Sequence, residues 1–230
     1  IGATNFALYY AMAKGDWKAL FKNTEWKVFM GVYWGTTFLV VLNMLAAQAT
    51  VAVDKSVPGA MGAFSGIGFW TALRYASFEV GTMVTNCGFY NADLEVFPYF
   101  SRLLIMIVTI MGGCAGSTAG GLKTIRVVIL AKVAWIQLQR TFRPYTIRAL
   151  RVNGTVISDE VQYVVLSYFL IYVSFFTFSV LVLSFLGLPL QTAFSAVVAC
   201  LNNTGPGLEY VGPLANFAFL TDFGKLFLSM

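Results

Sequence analysis

From Val161 to Leu208 the chain carries no charged residue, and this run limits what it can fold into more than any other feature. A helix needs about 20 apolar residues to cross a hydrocarbon core of roughly 30 Å. The run is too long for one crossing and is punctuated by Gly187-Leu188-Pro189 and by Asn202-Asn203-Thr204-Gly205-Pro206-Gly207. The pattern predicts a full span to about Leu186, a tight turn, and a short apolar helix from Leu190 to Leu201 that must enter the bilayer and return. Val28–Val53 is also uncharged and long enough to cross. Only 11% of residues are charged and 58% are hydrophobic, whereas ordinary soluble domains carry roughly 25% charged residues. So few charges cannot cover a water-facing surface. The expected class is an all-α integral membrane protein.

Leu103–Leu122 is uncharged as well, but its second half is Gly112-Gly113-Cys114-Ala115-Gly116-Ser117-Thr118-Ala119-Gly120-Gly121. Each glycine costs a helix up to about 1 kcal/mol. Irregular backbone at membrane depth survives only beside protein or a wet cavity, so a broken helix is expected here. Phe69–Val84 is a second short apolar helix, interrupted only by Arg74 and Glu79 and followed by Thr85-Asn86-Cys87-Gly88-Phe89. The organisation repeats: span, short re-entrant helix, extended Asn-x-Gly strand, second span. A lead-in covers 1–27 and the first copy 28–131, with the broken second helix. A basic connection covers 132–160, and the second copy, 161–230, stops as its last helix begins. The chain starts at Ile1 and is expected to be a piece of a longer protein.

The chain has 15 basic and 10 acidic residues. Lys14, Lys18, Lys22 and Lys27 precede the first span. Lys123, Arg126, Lys132, Arg140, Arg143, Arg148 and Arg151 follow the broken helix. Their acidic neighbours are Asp16, Glu25, Asp159 and Glu160. The positive-inside rule places both basic regions in the cytoplasm, which accounts for the surplus charge without nucleic acid. The other side carries Asp54, Asp93, Glu95, Glu209 and Asp222 against Lys55, Arg102 and Lys225, with Asp93 and Glu95 read as solvated mouth charges. Arg74 and Glu79 are costly within a short apolar helix unless paired or wetted, and are expected to compensate one another or near neighbours, a reading favoured over direct contact with an ion. No histidine is present, which excludes Ser-His-Asp catalysis and histidine-held zinc or haem. Cys87, Cys114 and Cys200 are too widely spaced for a zinc motif and are expected to be free thiols.

A short helix aims its negative carboxyl end into the membrane, where it stabilises a cation. The strand after it offers backbone carbonyls in place of an ion's hydration shell, and glycine leaves the path clear. Two copies supply two walls of a cage that needs four. The acidic rim would concentrate cations at the mouth.

Met111-Gly-Gly-Cys-Ala-Gly-Ser-Thr-Ala-Gly-Gly-Leu-Lys-Thr-Ile-Arg126 resembles the signature of the Trk/Ktr potassium transporters, in particular the TrkH-type membrane subunit. Thr85–Phe89 and Asn202–Gly207 resemble that family's third and fourth filter sequences, and the likeness extends over nearly the whole chain from Phe6-Ala-Leu-Tyr-Tyr10 onward. The resemblance implies four helix–pore-loop–helix units of potassium-channel type, of which this chain would hold the third and most of the fourth. It implies a potassium filter at Thr85, Asn86, Cys87, Gly88, Asn203, Thr204 and Gly205, with K+ held by the carbonyls of Asn86, Cys87, Asn203 and Thr204. It implies a gating loop that includes Gly112, Gly113, Gly116, Ser117, Thr118, Gly120 and Gly121. K+ would be the cargo, with no organic cofactor. The partners would be the lipid bilayer, a second copy in a homodimer, and a cytosolic nucleotide-binding regulatory subunit near Lys132–Arg151. The location would be the bacterial inner (plasma) membrane, crossed several times.

Other readings of the same residues stand beside this one. Gly112/Gly116 and Gly116/Gly120 have GxxxG spacing, which lets two helices pack closely. The loop is not a Walker A motif, because Leu122 separates Gly121 from Lys123. The alternative function is a secondary transporter whose broken helices bind an organic solute at the midplane. A membrane enzyme ranks last for want of paired nucleophile and base.

Overall fold

The computed structural model describes residues 2–53, 67–142 and 150–229. Asp54, Lys55, Arg143 and Arg148, assigned above to the two faces, lie outside the described residues. Two short helices, α1 (Phe6–Ala13) and α2 (Lys18–Lys22), lead into the long α3 (Thr24–Val53). Next come the short α4 (Phe69–Val84), α5 (Tyr99–Met111) and α6 (Thr124–Phe142). The second half holds the long α7 (Asp159–Phe185), the short α8 (Leu190–Leu201) and α9 (Asp222–Ser229). Strands β1 (Arg151–Val152) and β2 (Thr155–Val156) pair antiparallel between α6 and α7, with Arg151 opposite Val156. Asn153 and Gly154 join them with positive φ, 52° and 82°, the geometry that matches a two-residue hairpin to strand twist.

Among the described residues, two helices are long and apolar enough to cross a membrane, α3 over Thr24–Ala47 and α7 over its whole length. Ser158 caps α7, accepting from Val161 N, and Asp159 and Glu160 occupy its first turn, where the helix dipole favours negative charge. Its buried residues are Val165, Tyr172, Ser179 and Leu183, a narrow stripe at near-heptad spacing. The rest is apolar and exposed, including Val164, Ile171 and, 91% exposed, Phe185. A helix that is apolar all round but packs along one stripe has a lipid environment.

Helix α3 packs on α4 and α5, and α7 on α8. Val40, Val41 and Met44 of α3 meet Ala72, Ala76, Val80 and Met83 of α4, and Ile105 and Met106 of α5. Val198 of α8 and Leu208 join the same cluster, so one core ties the two halves together. Lipid tails are as apolar as these side chains, so close packing rather than expulsion of water holds this core. A second cluster seats α8 through Ala193, Ala196 and Val197 against Leu183, Val211 and Leu220.

The long helices begin earlier than the uncharged runs suggest: α3 already includes Glu25 and Lys27, and α7 starts at Asp159. The stretch Lys132–Arg151 is no plain basic loop. Lys132 and Arg140 sit on α6, whose 19 residues continue the helix beyond the glycine-rich break. Periodic Ile125, Ile129, Val133 and Ile136 explain this, since they pack in one cluster with Leu150, Val152 and Val165.

Candidate functional site

Helices α4 and α8 end in the same way. After α4, Asn86 N donates to Met83 O at 3.1 Å and Cys87 N to Thr82 O at 2.9 Å. After α8, Asn203 N donates to Cys200 O at 3.1 Å and Thr204 N to Ala199 O at 2.9 Å. Each pair of bonds is a Schellman closure, which needs a left-handed residue just past the helix. Asparagine supplies it both times, with φ 53° at Asn86 and 55° at Asn203. A glycine two residues on is again left-handed, 75° at Gly88 and 100° at Gly205. The Asn-x-Gly segments are therefore not the extended strands expected from sequence; φ alternates in sign along them. The cause is local: the N–H groups just past each helix donate to its last carbonyls, which have no partner within the helix itself.

The two closures face one another. Asn86 Nδ2 donates to Thr204 Oγ1 at 2.9 Å and to Thr109 O at 3.3 Å. A Cβ on Gly88 would overlap the Thr204 carbonyl, whereas around Gly205 nothing lies within 4 Å of the same position. Asn86, Asn202 and Thr204 are buried, while Cys87, Asn203 and Gly205 are exposed. The Thr85 hydroxyl is engaged inside α4, donating to Gly81 O at 2.8 Å and Thr82 O at 3.1 Å. Among the described residues, no donor reaches the carbonyl oxygens of Asn86, Cys87, Asn203 or Thr204.

Between α5 and α6 the backbone is irregular throughout Gly112–Lys123, so the GxxxG spacings do not pair helices. Gly112, Gly116 and Gly121 have φ of 65°, 70° and 74°. This loop lies under the end of α8. A Cβ at Gly120 would strike the Asn202 carbonyl, and one at Gly121 would stand 2.9 Å from Asn202 Oδ1. Tyr172 on α7 donates to that Oδ1 at 3.0 Å. Leu122 N to Ile110 O (3.2 Å) and Thr124 N to Gly113 O (2.9 Å) close the neck of the loop. The residues before α1 and the first residue of α1 line the loop's other edge: Cys114 N donates to Ala3 O at 2.8 Å, Phe6 N to Gly116 O at 3.2 Å, and Thr118 Oγ1 to Gly2 O at 3.0 Å. Ser117 Oγ donates to Cys114 O at 2.5 Å, and Lys123 Nζ donates to Ser117 O at 3.2 Å and also to Ala119 O.

Several carboxylates have more defined positions than the sequence indicated. Glu79 and Arg74 do not compensate one another. The Glu79 Oε1 accepts from Asn91 N at 2.9 Å and Ala92 N at 3.2 Å, and the Arg74 guanidinium lies 5.2 Å from the Tyr75 ring centroid. The two sit five residues apart on α4, off the i, i+4 register that brings helical side chains together. Glu95 and Asp93 are not merely solvated mouth charges. Glu95 Oε2 pairs with Arg102 Nη1 at 2.5 Å, and its Oε1 accepts from Glu209 N at 2.6 Å. Asp93 caps the turn before it, accepting from Glu95 N at 3.1 Å. Arg102 also donates to Phe97 O and to Glu95 O, and is buried at 7% exposure. Sequence had offered one signal for this cluster, an arginine opening an apolar helix, where only a partner makes burial tolerable.

Fold and site together define an all-α membrane protein in which two short helices end at one another over irregular backbone. The whole chain, residues 1–230, matches the model of the TrkH family, described as cation transport proteins. The chain belongs to that family. It is 30% identical over 226 residues to the Trk system potassium uptake protein TrkH of Salmonella typhimurium, an alignment covering 98% of this chain and 43% of that protein. It is 26% identical over 226 residues to the Trk system potassium uptake protein TrkG of Escherichia coli, with the same coverage of each chain. The crystal structure of the potassium transporter TrkH from Vibrio parahaemolyticus superposes with a TM-score of 0.85 at 29% identity, covering 99% of this chain and 46% of that one. The chain thus spans less than half the length of the relatives it matches.

Proposed function

We propose that this chain forms two of the walls of a potassium uptake pore. K+ sheds its water onto the carbonyls of Asn86, Cys87, Asn203 and Thr204, with Thr85, Gly88 and Gly205 completing the segments. The observation that carries the reading is the pair of matching helix closures whose carbonyls accept no hydrogen bond from the described residues. Alternation in the sign of φ turns successive peptide planes toward one side, unlike a β-strand, and both helices present their negative ends to the same place. Gly112–Gly121, lying against Asn202, is the gate. The basic end around Lys14–Lys27 and Lys123–Arg151 faces the cytoplasm of a bacterial inner membrane that the protein crosses several times. The complete assembly is a homodimer controlled by a cytosolic nucleotide-binding subunit.

The test is the K+/Na+ permeability ratio of the full-length parent protein in liposomes, read from the bi-ionic reversal potential. A ratio well above one without any organic solute is expected. Flux that starts only when a solute or second ion is supplied would move the assignment to coupled transport.

A further inference from the structure

Glu25 lies in the first turn of α3, 4% exposed, and belongs to neither helix closure. Its Oε1 accepts from Ala115 N at 2.6 Å and from Ile125 N at 3.2 Å. Ala115 is inside the glycine-rich loop and Ile125 is in the first turn of α6, so one oxygen bridges the loop and the helix that resumes after it. The residue beside it is held from the other direction. Asn153, at the tip of the β1–β2 hairpin, accepts from Thr24 N at 2.7 Å through its Oδ1.

We propose that Glu25 is a positioning residue of the glycine-rich loop, and that with Asn153 it forms a two-link strap from the hairpin at the basic end to Ala115. Three physical points support it. A carboxylate accepting N–H groups makes bonds roughly twice as strong as neutral ones. The start of α6 favours negative charge. A loop this rich in glycine has little rigidity of its own, so its position is set by the groups that hold it. Displacing the hairpin would therefore shift the start of α3 and release Ala115. The functional meaning of the strap rests on the reading of Gly112–Gly121 as a gate; its existence does not.

Cys114, 1% exposed and adjacent to Ala115, reports on the loop directly. Its maleimide labelling rate in the full-length parent protein would be followed by peptide-resolved mass spectrometry, leaving Cys87 and Cys200 in place. Glu25→Ala is expected to raise the rate about tenfold or more through local opening. Glu25→Gln, whose amide oxygen accepts the same N–H groups but carries no charge, is expected to fall between wild type and Glu25→Ala, as is Asn153→Ala. Labelling of Glu25→Ala at the wild-type rate overturns the proposal. If Glu25→Ala does not fold, an unchanged rate in Asn153→Ala overturns the strap instead. K+ flux on the same samples separates the two readings: faster labelling with unchanged flux keeps the strap and removes the loop from gating.

Discussion

Asn86 and Thr204 lie 118 positions apart in the chain, yet the side-chain amide of one donates to the hydroxyl of the other at 2.9 Å. Each stands just past the end of its own short helix, so this one bond fixes the distance between the two closures. A small cation is discriminated by the spacing of the oxygens around it. In the proposed pore, the bond would therefore act on selectivity without touching the ion.

Thr204→Val keeps the shape of the side chain and removes the acceptor, leaving Asn86 Nδ2 with Thr109 O alone. The expected cost is about 1 kcal/mol of stability. The K+/Na+ permeability ratio should fall severalfold in liposomes. An unchanged ratio would separate this bond from selectivity.

Gly88 and Gly205 hold equivalent places in the two segments but differ in their surroundings. Alanine at either must adopt a left-handed φ, a strain of roughly 1–2 kcal/mol. At Gly88 the new methyl would also overlap the Thr204 carbonyl. Gly88→Ala is therefore expected to reduce the yield of monodisperse protein in detergent. Gly205→Ala, with open space around it, should fold and lose K+ over Na+ discrimination. Equal behaviour of the two variants, by size-exclusion profile and reversal potential, would contradict this difference.

Glu79 holds the segment after Gly88 from behind, through the N–H groups of Asn91 and Ala92. Glu79→Gln retains an oxygen for both and is expected to remain selective. Glu79→Leu leaves two N–H groups without their acceptor, at about 1–3 kcal/mol each where they are buried. Its thermal midpoint and its K+/Na+ ratio should both drop, and a fully selective, stable Glu79→Leu would refute the positioning role.

Shortening the loop within Gly113–Gly120 removes backbone packed beneath Asn202 and leaves the Asn86–Thr204 bond in place. K+ flux should rise while the permeability ratio stays constant, as measured by tracer uptake and reversal potential on one preparation. A well-folded protein with no flux would count against gating by this loop.

Much of the architecture was legible without coordinates, because it depends on local chemistry. Uncharged length marked α3 and α7, glycine density marked the break after Met111, and the short runs Phe69–Val84 and Leu190–Leu201 became α4 and α8 with those bounds. The continuation of α6 to Phe142 was masked by its charges, since Lys132 and Arg140 share the helix with a buried apolar face. Glu25 and Glu95 were counted as charges on one side or the other, and Glu79 as compensating Arg74 or a near neighbour. Each accepts from backbone N–H groups of another segment, and no spacing rule connects a carboxylate to those.

By itself, then, the sequence determined the solvent this chain folds in, the bounds of the short helices α4 and α8, and the break after Met111. These follow from transfer free energy, glycine's freedom and the need to satisfy backbone groups within one segment. Only the tertiary structure decided that the closures face each other through Asn86 and Thr204, that Gly120 lies under Asn202, and that Glu25 ties the loop to α3. Such contacts join residues far apart in the chain. They exist because packed helices bring together groups that must find partners where water is absent.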